Sequence, residues 1–170
     1  NQEMELFLAA VDEDENDLTE FAKQTTENAI HNGCSYILID YPVMNDNSTL
    51  EDEIAAGGRP YWVNIKQSQV LEASPVKRLG KNILGFFRFK EQVAFRTDDF
   101  TVQFIDQIKH FQFDENNEVQ YVIFRKDQSN TWALFDSGQL IAANGVAFTE
   151  IPIISVNVEP VGFYVGQPVF

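Results

Sequence analysis

Asp17-Leu18-Thr19-Glu20-Phe21-Ala22-Lys23-Gln24-Thr25-Thr26-Glu27-Asn28-Ala29-Ile30-His31-Asn32-Gly33-Cys34-Ser35-Tyr36-Ile37-Leu38-Ile39-Asp40-Tyr41-Pro42 carries two periodicities in succession. Asp17 is placed to cap a helix, and Glu20 three residues on completes a capping-box-like pattern. Leu18, Phe21, Ala22, Thr25 and Ala29 then recur at helical spacing, so one stripe faces a core. Gly33 supplies the stop. From Ser35 to Tyr41 the sequence is a continuous apolar, partly β-branched run closed by Pro42, and its length and stop signals predict a buried strand. A helix feeding a central strand is the unit around which the rest is read.

On its N-terminal side, the acidic run Asp12-Glu13-Asp14-Glu15-Asn16-Asp17 follows a short apolar start with Met4, Leu6, Phe7 and Leu8. On the other side, residues 43–58 are polar and turn-rich. Ser48 or Thr49 can cap a short helix from Leu50 to Ala56, ended by Gly57-Gly58. Arg59-Pro60-Tyr61-Trp62-Val63-Asn64-Ile65 reads as a second strand, with Pro60 at its start where a lost donor matters least. Lys66 to Gly80 reads as a polar crossing with a turn at Ser74-Pro75.

Beyond Gly80 the pattern is mostly β. Ile83 to Phe89 and Val119 to Lys126 read as strands. Thr131–Phe135 and Gln139–Ala142 flank a hairpin turn at Asp136-Ser137-Gly138. Asp114 to Glu118 and Asp127 to Asn130 are turns of the same kind. Phe100, Phe104, Ile108 and Phe111 sit at helical spacing, yet Phe100, Val102 and Phe104 also alternate. The Thr, Val, Phe and Ile content tips this stretch toward a strand, with a bulge needed to bring Phe111 and Phe113 onto the original face. Ile151 to Val158 reads as the last strand before a Gly/Pro-punctuated aromatic tail. The fold class is therefore α+β, one principal helix packed on a mostly antiparallel sheet. Residues 1–16 form an acidic N-terminal segment, 17–160 the body, and 161–170 the tail.

The chain has 170 residues, 44% hydrophobic and 13% aromatic, with 15 Phe. Twenty-six acidic residues against 12 basic ones give a net charge of −14. Affinity for nucleic acid without sequence preference needs Lys and Arg at phosphates, so such binding is disfavoured, as is binding to an anionic bilayer. One Cys excludes an internal disulfide, and two His leave too few ligands for an all-protein Cys/His zinc site. No apolar run approaches the roughly 18 residues of a membrane helix. The chain opens on Asn1-Gln2-Glu3 without the pattern of a signal peptide, and is expected to be a fragment.

The search for chemistry yields bland readings. Setting Asp12, Asp14 and Asn16 as the first calcium-loop ligands puts Asp17 at the tight-turn Gly and Lys23 at the bidentate Glu. A solvated loop before a helix is the better reading. His31 and Cys34 lie three residues apart, too few groups for a metal, and read as a helix-end cation and a small buried hydrophobe. His110, among Phe residues, points to solvent or makes one core hydrogen bond. Asp40 ends a buried strand, where a catalytic carboxylate can sit, but no second carboxylate is identifiable. Its favoured role is to accept hydrogen bonds that fix the turn at Pro42. Gly57-Gly58 lacks the residues of a phosphate loop. Lys77, Arg78 and Lys81 make a small basic spot, and Asn47-Ser48-Thr49 fits a glycosylation sequon without a secretory context. No catalytic residue, metal or cofactor is expected. The Phe residues fill a core by default; the tail, with little local structure to pack into, is the best candidate for an exposed interface patch.

One succession of motifs goes further. His31-Asn32-Gly33 leads into Ser35-Tyr36-Ile37-Leu38-Ile39-Asp40-Tyr41-Pro42, followed by Gly58-Arg59-Pro60-Tyr61-Trp62-Val63, Arg88-Phe89-Lys90-Glu91, Trp132-Ala133-Leu134 and Glu150-Ile151-Pro152-Ile153-Ile154-Ser155-Val156. From Asp17 to Pro160 this order resembles the middle part of portal-like proteins of tailed phages, a family long described as a domain of unknown function. Gly33, Asp40, Tyr41, Pro42, Arg59, Pro60, Tyr61, Trp62, Trp132 and Pro152 carry the resemblance as structural motif residues. It implies the wing-type region of a phage or prophage portal protein, a structural component of the ring at the capsid vertex through which DNA is packaged and ejected. The implied partners are other portal subunits, capsid and terminase proteins, with DNA only passing through the channel and no membrane. The implied location is the virion, after the host cytoplasm, with the tail leading toward a stem region. The alternatives are an unrelated β-rich protein-interaction module and, less favoured, a hydrolase using Asp40.

Overall fold

The computed structural model describes residues 2–12, 14–40, 59–96, 101–127, 129–142 and 145–168. The expectations for Tyr41, Pro42, the Leu50–Ala56 helix, Gly57-Gly58, the Asn47 sequon and Phe100 lie outside the described residues. Two helices, α1 (Gln2–Ala9) and α2 (Leu18–Asn32), precede the strands β1 (Cys34–Asp40) and β2 (Tyr61–Lys66). A 3-10 turn at Gln67–Gln69 leads into β3 (Val70–Arg78), β4 (Lys81–Arg96), β5 (Val102–Phe113), β6 (Val119–Lys126) and β7 (Trp132–Gln139). The chain closes with β8 (Ile153–Asn157), β9 (Glu159–Gly162) and β10 (Val165–Gln167). The architecture is α+β, and every ladder among the described strands is antiparallel. The chain forms two compact units, residues 1–67 with 152–170, and residues 68–151.

In the first unit β1 is the central strand of a three-stranded sheet ordered β2-β1-β8. The Asp17 carboxylate accepts the Glu20 amide at 2.8 Å, satisfying one orphan donor of α2. Phe21, Thr25 and Ala29 form the buried stripe of α2. Phe21, the large apolar side chain among them, contributes about 1.5–3 kcal/mol by its burial. Gly33 ends α2 in the left-handed conformation, φ 85°.

The tail, expected to have little to pack into, is instead folded into this unit. The phenol of Tyr36 donates to the Tyr164 carbonyl at 2.7 Å, and the Tyr164 phenol donates to the Ile153 carbonyl at 2.9 Å. The two rings stack 6.4 Å apart. β10 then passes against the end of α2 so closely that a Cβ on Gly166 would lie 1.8 Å from the Gly33 carbonyl oxygen. Only glycine fits that approach. A short apolar start also becomes α1, whose Phe7 meets the Trp62 ring edge-on at 5.5 Å.

The second unit is an up-and-down meander ordered β3-β4-β5-β6-β7. Three expectations are corrected here. The crossing at 66–80 is strand β3, and Ser74-Pro75 marks a register shift in it, not a turn. Pro is tolerated because β3 is an edge strand. At the same shift a Cβ on Gly85 would lie 2.7 Å from that of Val76. Second, β7 runs straight through Asp136-Ser137-Gly138; the turn-like residues follow a bulge opposite Ile123 and Phe124, not a hairpin. Third, β5 is a strand, but its register against β4 is unbroken. Phe104 therefore projects from the face opposite Phe111, 68% exposed against 0%. The turns at 114–118 and 127–130 do form, and alike. Asp114 Oδ1 accepts two amides, Asp127 Oδ1 accepts two more, and Asn117 and Asn130 take positive φ.

Phe87, Phe89, Phe111 and Val119 are fully or almost fully buried in this unit. Gln107 is buried beside them and uses both ends of its amide. Its Nε2 donates to Glu91 at 2.7 Å, and its Oε1 accepts from Arg125 Nε at 2.7 Å. On the opposite face Lys90 and Lys126 flank Asp106 at 2.9 and 3.9 Å. Hydrogen bonds from Lys90 and then Gln92 hold the Asp106 carboxyl below its ordinary value. Among the described residues His110 Nδ1 is buried without a hydrogen-bond partner. The residue is 9% exposed, with Phe86 and Phe124 at 5.3 and 5.8 Å.

Two outcomes follow. Gly166→Ala must displace β10 from the α2 terminus; a calorimetric melt of the variant should lose the tail's contribution, with Gly33→Ala costing in addition about 1–2 kcal/mol for a side chain in the left-handed region. Burial, with the Arg88 charge adding, holds His110 below the ordinary imidazole value of 6.5. The unfolded chain thus takes up this proton before the folded one, so this contribution to stability is present above pH 6.5 and falls as the pH drops below it. In urea titrations either side of that pH, His110→Phe should flatten the decline.

Candidate functional site

β2 is a mixed strand, and its polar residues help line a groove in the first unit. Along Tyr61-Trp62-Val63-Asn64-Ile65-Lys66, the residues Trp62, Asn64 and Lys66 share the sheet side of Ser35, Ile37 and Ile39 across the β1 register. Helix α2 packs on that side. Trp62 is wedged between Phe7 and Phe21, each with its ring centroid 5.5 Å away. Its backbone amide donates to the Val11 carbonyl at 2.8 Å, and Arg59 Nη1 donates to the Ala10 carbonyl. The loop after α1 is thereby tied to the edge of β2.

A groove of about 240 Å³ opens between this loop, α2 and β2. Phe21, Trp62 and Val63 give it apolar surface; Asp12, Asp14, Gln24, Asn28, Tyr61, Asn64 and Lys66 complete the lining. Asp12 is fixed in place. Its Oδ1 accepts the amides of Asp14 and Asn16 at 3.1 and 2.9 Å, and its Oδ2 accepts Asn16 Nδ2 at 2.9 Å. The loop closes on the carboxylate of Asp12, a feature that the reading of a solvated loop before a helix did not include. Among the described residues no group of three or more His, Cys, Asp or Glu is arranged to hold a metal.

Beneath the groove runs a polar relay that sequence reading missed. The Ser35 hydroxyl donates to Asn64 Oδ1 at 2.8 Å, and Asn64 Nδ2 donates to Thr25 Oγ1 at 3.0 Å. Ser35 and Thr25 are both buried. The available signal was Asn64 itself: an amide inside an otherwise apolar strand must find partners or cost 1–3 kcal/mol, on the order seen for unsatisfied buried groups.

The ten motif residues separate by unit. Gly33, Asp40, Arg59, Pro60, Tyr61, Trp62 and Pro152 lie in the first, with Asp40 opposite Tyr61 in register and the Pro152 carbonyl accepting Ile39 N at 2.9 Å. Trp132 starts β7 in the second, its ring 5.6 Å from Lys126 Nζ. Tyr41 and Pro42 lie outside the described residues. Of this set, Tyr61 and Trp62 line the groove and Asp40 does not. His31 is exposed at the end of α2, while Cys34 is buried and desolvation raises its thiol pKa. Burial likewise pushes the Tyr36 phenol up, with Cys34 adding to the shift.

The groove is suited to an apolar group carrying positive charge. It offers aromatic surface inside and carboxylates at the loop, within a chain of net charge −14. No family model matches the sequence, and no curated protein is detectably similar to it. Asn64→Leu should remove both bonds of the relay, leaving the Ser35 hydroxyl its long 3.4 Å contact to the Ile65 carbonyl, and lower the unfolding free energy by about 1–3 kcal/mol in denaturant titrations.

Proposed function

We propose that this chain is the wing-type region of a portal-like subunit, a structural part of a virion ring with no catalytic role. The reading rests on the order of motifs from Gly33 to Pro152 and on one structural observation. Val102 and Phe104 on β5, and Trp132 and Leu134 on β7, are exposed on the same face of the meander, Leu134 at 62%. Ile108 of β5 and Phe124 of β6 lie on that face too, separated from Val102 and Phe104 by Asp106 and the Lys90 and Lys126 that flank it. Exposed apolar side chains gathered on one sheet face, here on either side of a charged row, are the kind of surface that a subunit covers against a neighbour. The edge strand β7 adds unpaired backbone groups along the same border, with Asp136 the single charge in its eight residues. A strongly acidic chain also suits a passage along which DNA slides without its phosphates being gripped.

The test is the assembly state of the natural full-length protein. Electron microscopy and native mass spectrometry should show a closed ring with a central channel. Phe104→Asp combined with Leu134→Asp should weaken assembly at least about tenfold while leaving the circular-dichroism spectrum unchanged. A full-length protein that stays monomeric, or one that turns over a substrate and loses that turnover in Asp40→Asn, overturns the reading.

A further inference from the structure

The basic spot of the sequence turns out to be the tip of a hairpin. Between Glu72 and Glu91 there is no acidic residue, while Lys77, Arg78, Lys81, Arg88 and Lys90 all fall there. β3 and β4 are joined by Leu79-Gly80, with φ 48° and 78°, and Arg78 pairs with Lys81 across the turn. Such two-residue turns favour Asn-Gly, because both positions need positive φ. Leucine there is disfavoured, and at 97% exposure Leu79 gains nothing within its own molecule. The tip is nevertheless firmly held. The Arg78 guanidinium donates to the Thr149 carbonyl at 2.8 Å and lies 5.7 Å from the Phe113 ring centre. A rigid turn thus presents one bare leucine framed by exposed Lys77 and Lys81.

The groove beside Trp62 is its chemical complement. A cavity of about 150 Å³ admits a benzene ring, so 240 Å³ accommodates a leucine side chain. Phe21, Trp62 and Val63 supply apolar contact, and Asp12 and Asp14 supply negative charge. Lys66 is the cation of the lining, outweighed by these two together with Glu15 and Asp17 of the same loop. The geometry points to a head-to-tail contact between copies of this chain, in which the Leu79 hairpin of one copy enters the Trp62 groove of the next. Such a contact joins two different surfaces, the type that builds rings or filaments. It rests on the ring reading given above and names an interface within it.

Cysteine pairing in the natural full-length protein tests the contact. Leu79→Cys is placed in one tagged copy and Gln24→Cys in another, and the two are co-expressed and oxidised; Cys34 is buried and stays silent. A disulfide linking the two tags, about tenfold above a control pairing Leu79→Cys with Asn116→Cys, is the expected result. Lys77→Glu with Lys81→Glu should weaken association roughly tenfold, and Asp14→Lys should restore it. A ring that forms without the disulfide overturns the contact and leaves the portal reading standing. The disulfide within an open filament supports the contact and overturns the ring. A protein that remains monomeric overturns both. Charge-reversed hairpins that assemble normally, or that lose binding to DNA or to another acidic protein instead, also overturn the contact.

Discussion

A buried strand must pair its backbone along both edges, and β1 obtains its two partners from opposite ends of the chain. Tyr61–Lys66 covers one edge, from Ser35 to Asp40, and Ile153–Asn157 covers the other, from Cys34 to Leu38. Unpaired amides there would each cost more than a typical hydrogen bond contributes. The entire meander of residues 68–151 is therefore an excursion between the two edge strands of β1. The same requirement places the groove. Because β8 takes one edge, β2 takes the other, and its outer side is where the Val11 carbonyl meets the Trp62 amide and brings the acidic loop alongside α2.

Charge is distributed by the same logic of rows and faces. In the meander, neighbouring rows point to opposite sides, so the Glu91–Gln107–Arg125 ladder and the Lys90–Asp106–Lys126 ladder occupy adjacent positions without sharing a face. The first is desolvated at Gln107, where each missing bond would leave a buried group unmet. The second is open to water and holds orientation more than it adds stability. Together they anchor cations in the β4–β6 part of an acidic chain. The acidic residues of 12–17 sit in the other unit. The result is a molecule with a strong internal charge asymmetry, a property that directs which surfaces of two copies attract.

Local signals were legible; distant ones were not. Asp17, Glu20, the Phe21-Thr25-Ala29 stripe and Gly33 each act within a few residues, so α2 and its ends could be read directly, as could β1 and the Asx turns at Asp114 and Asp127. The errors have a common cause. Ser74-Pro75 and Asp136-Ser137-Gly138 carry turn chemistry, but a neighbouring strand in register overrides it and converts each to an irregularity in a ladder. Phe104 and Phe111 look alike in sequence, and only the unbroken β4–β5 register separates them onto opposite faces. The groove was least legible. Its lining joins residue 12 to residue 66, and the role of Asn64 depends on Thr25 and Ser35 arriving from two other elements. The tail's fit depends on Gly33 meeting Gly166, a pairing that neither local sequence announces.

The closure that completes the first unit is also the most remote, since Cys34 pairs with Asn157 and Tyr36 bonds to Tyr164. The entropy of closing a loop grows only logarithmically with its length, by about 0.6 kcal/mol per doubling. An insertion of this size is thus thermodynamically tolerable, but it delays folding, because contacts of long sequence separation form late. The meander eases that delay. Its ladders join consecutive strands, so β3 to β7 can order before β8 returns, and an ordered insert leaves less free chain to confine. What remains is to lock the returning strand once it arrives. The two tyrosine hydrogen bonds and the glycine approach do this at one place, behind β1 and at the end of α2. Both tyrosines direct their phenols to backbone carbonyls, so these two bonds depend on main-chain positions, while the approach of Gly33 and Gly166 depends on neither carrying a side chain.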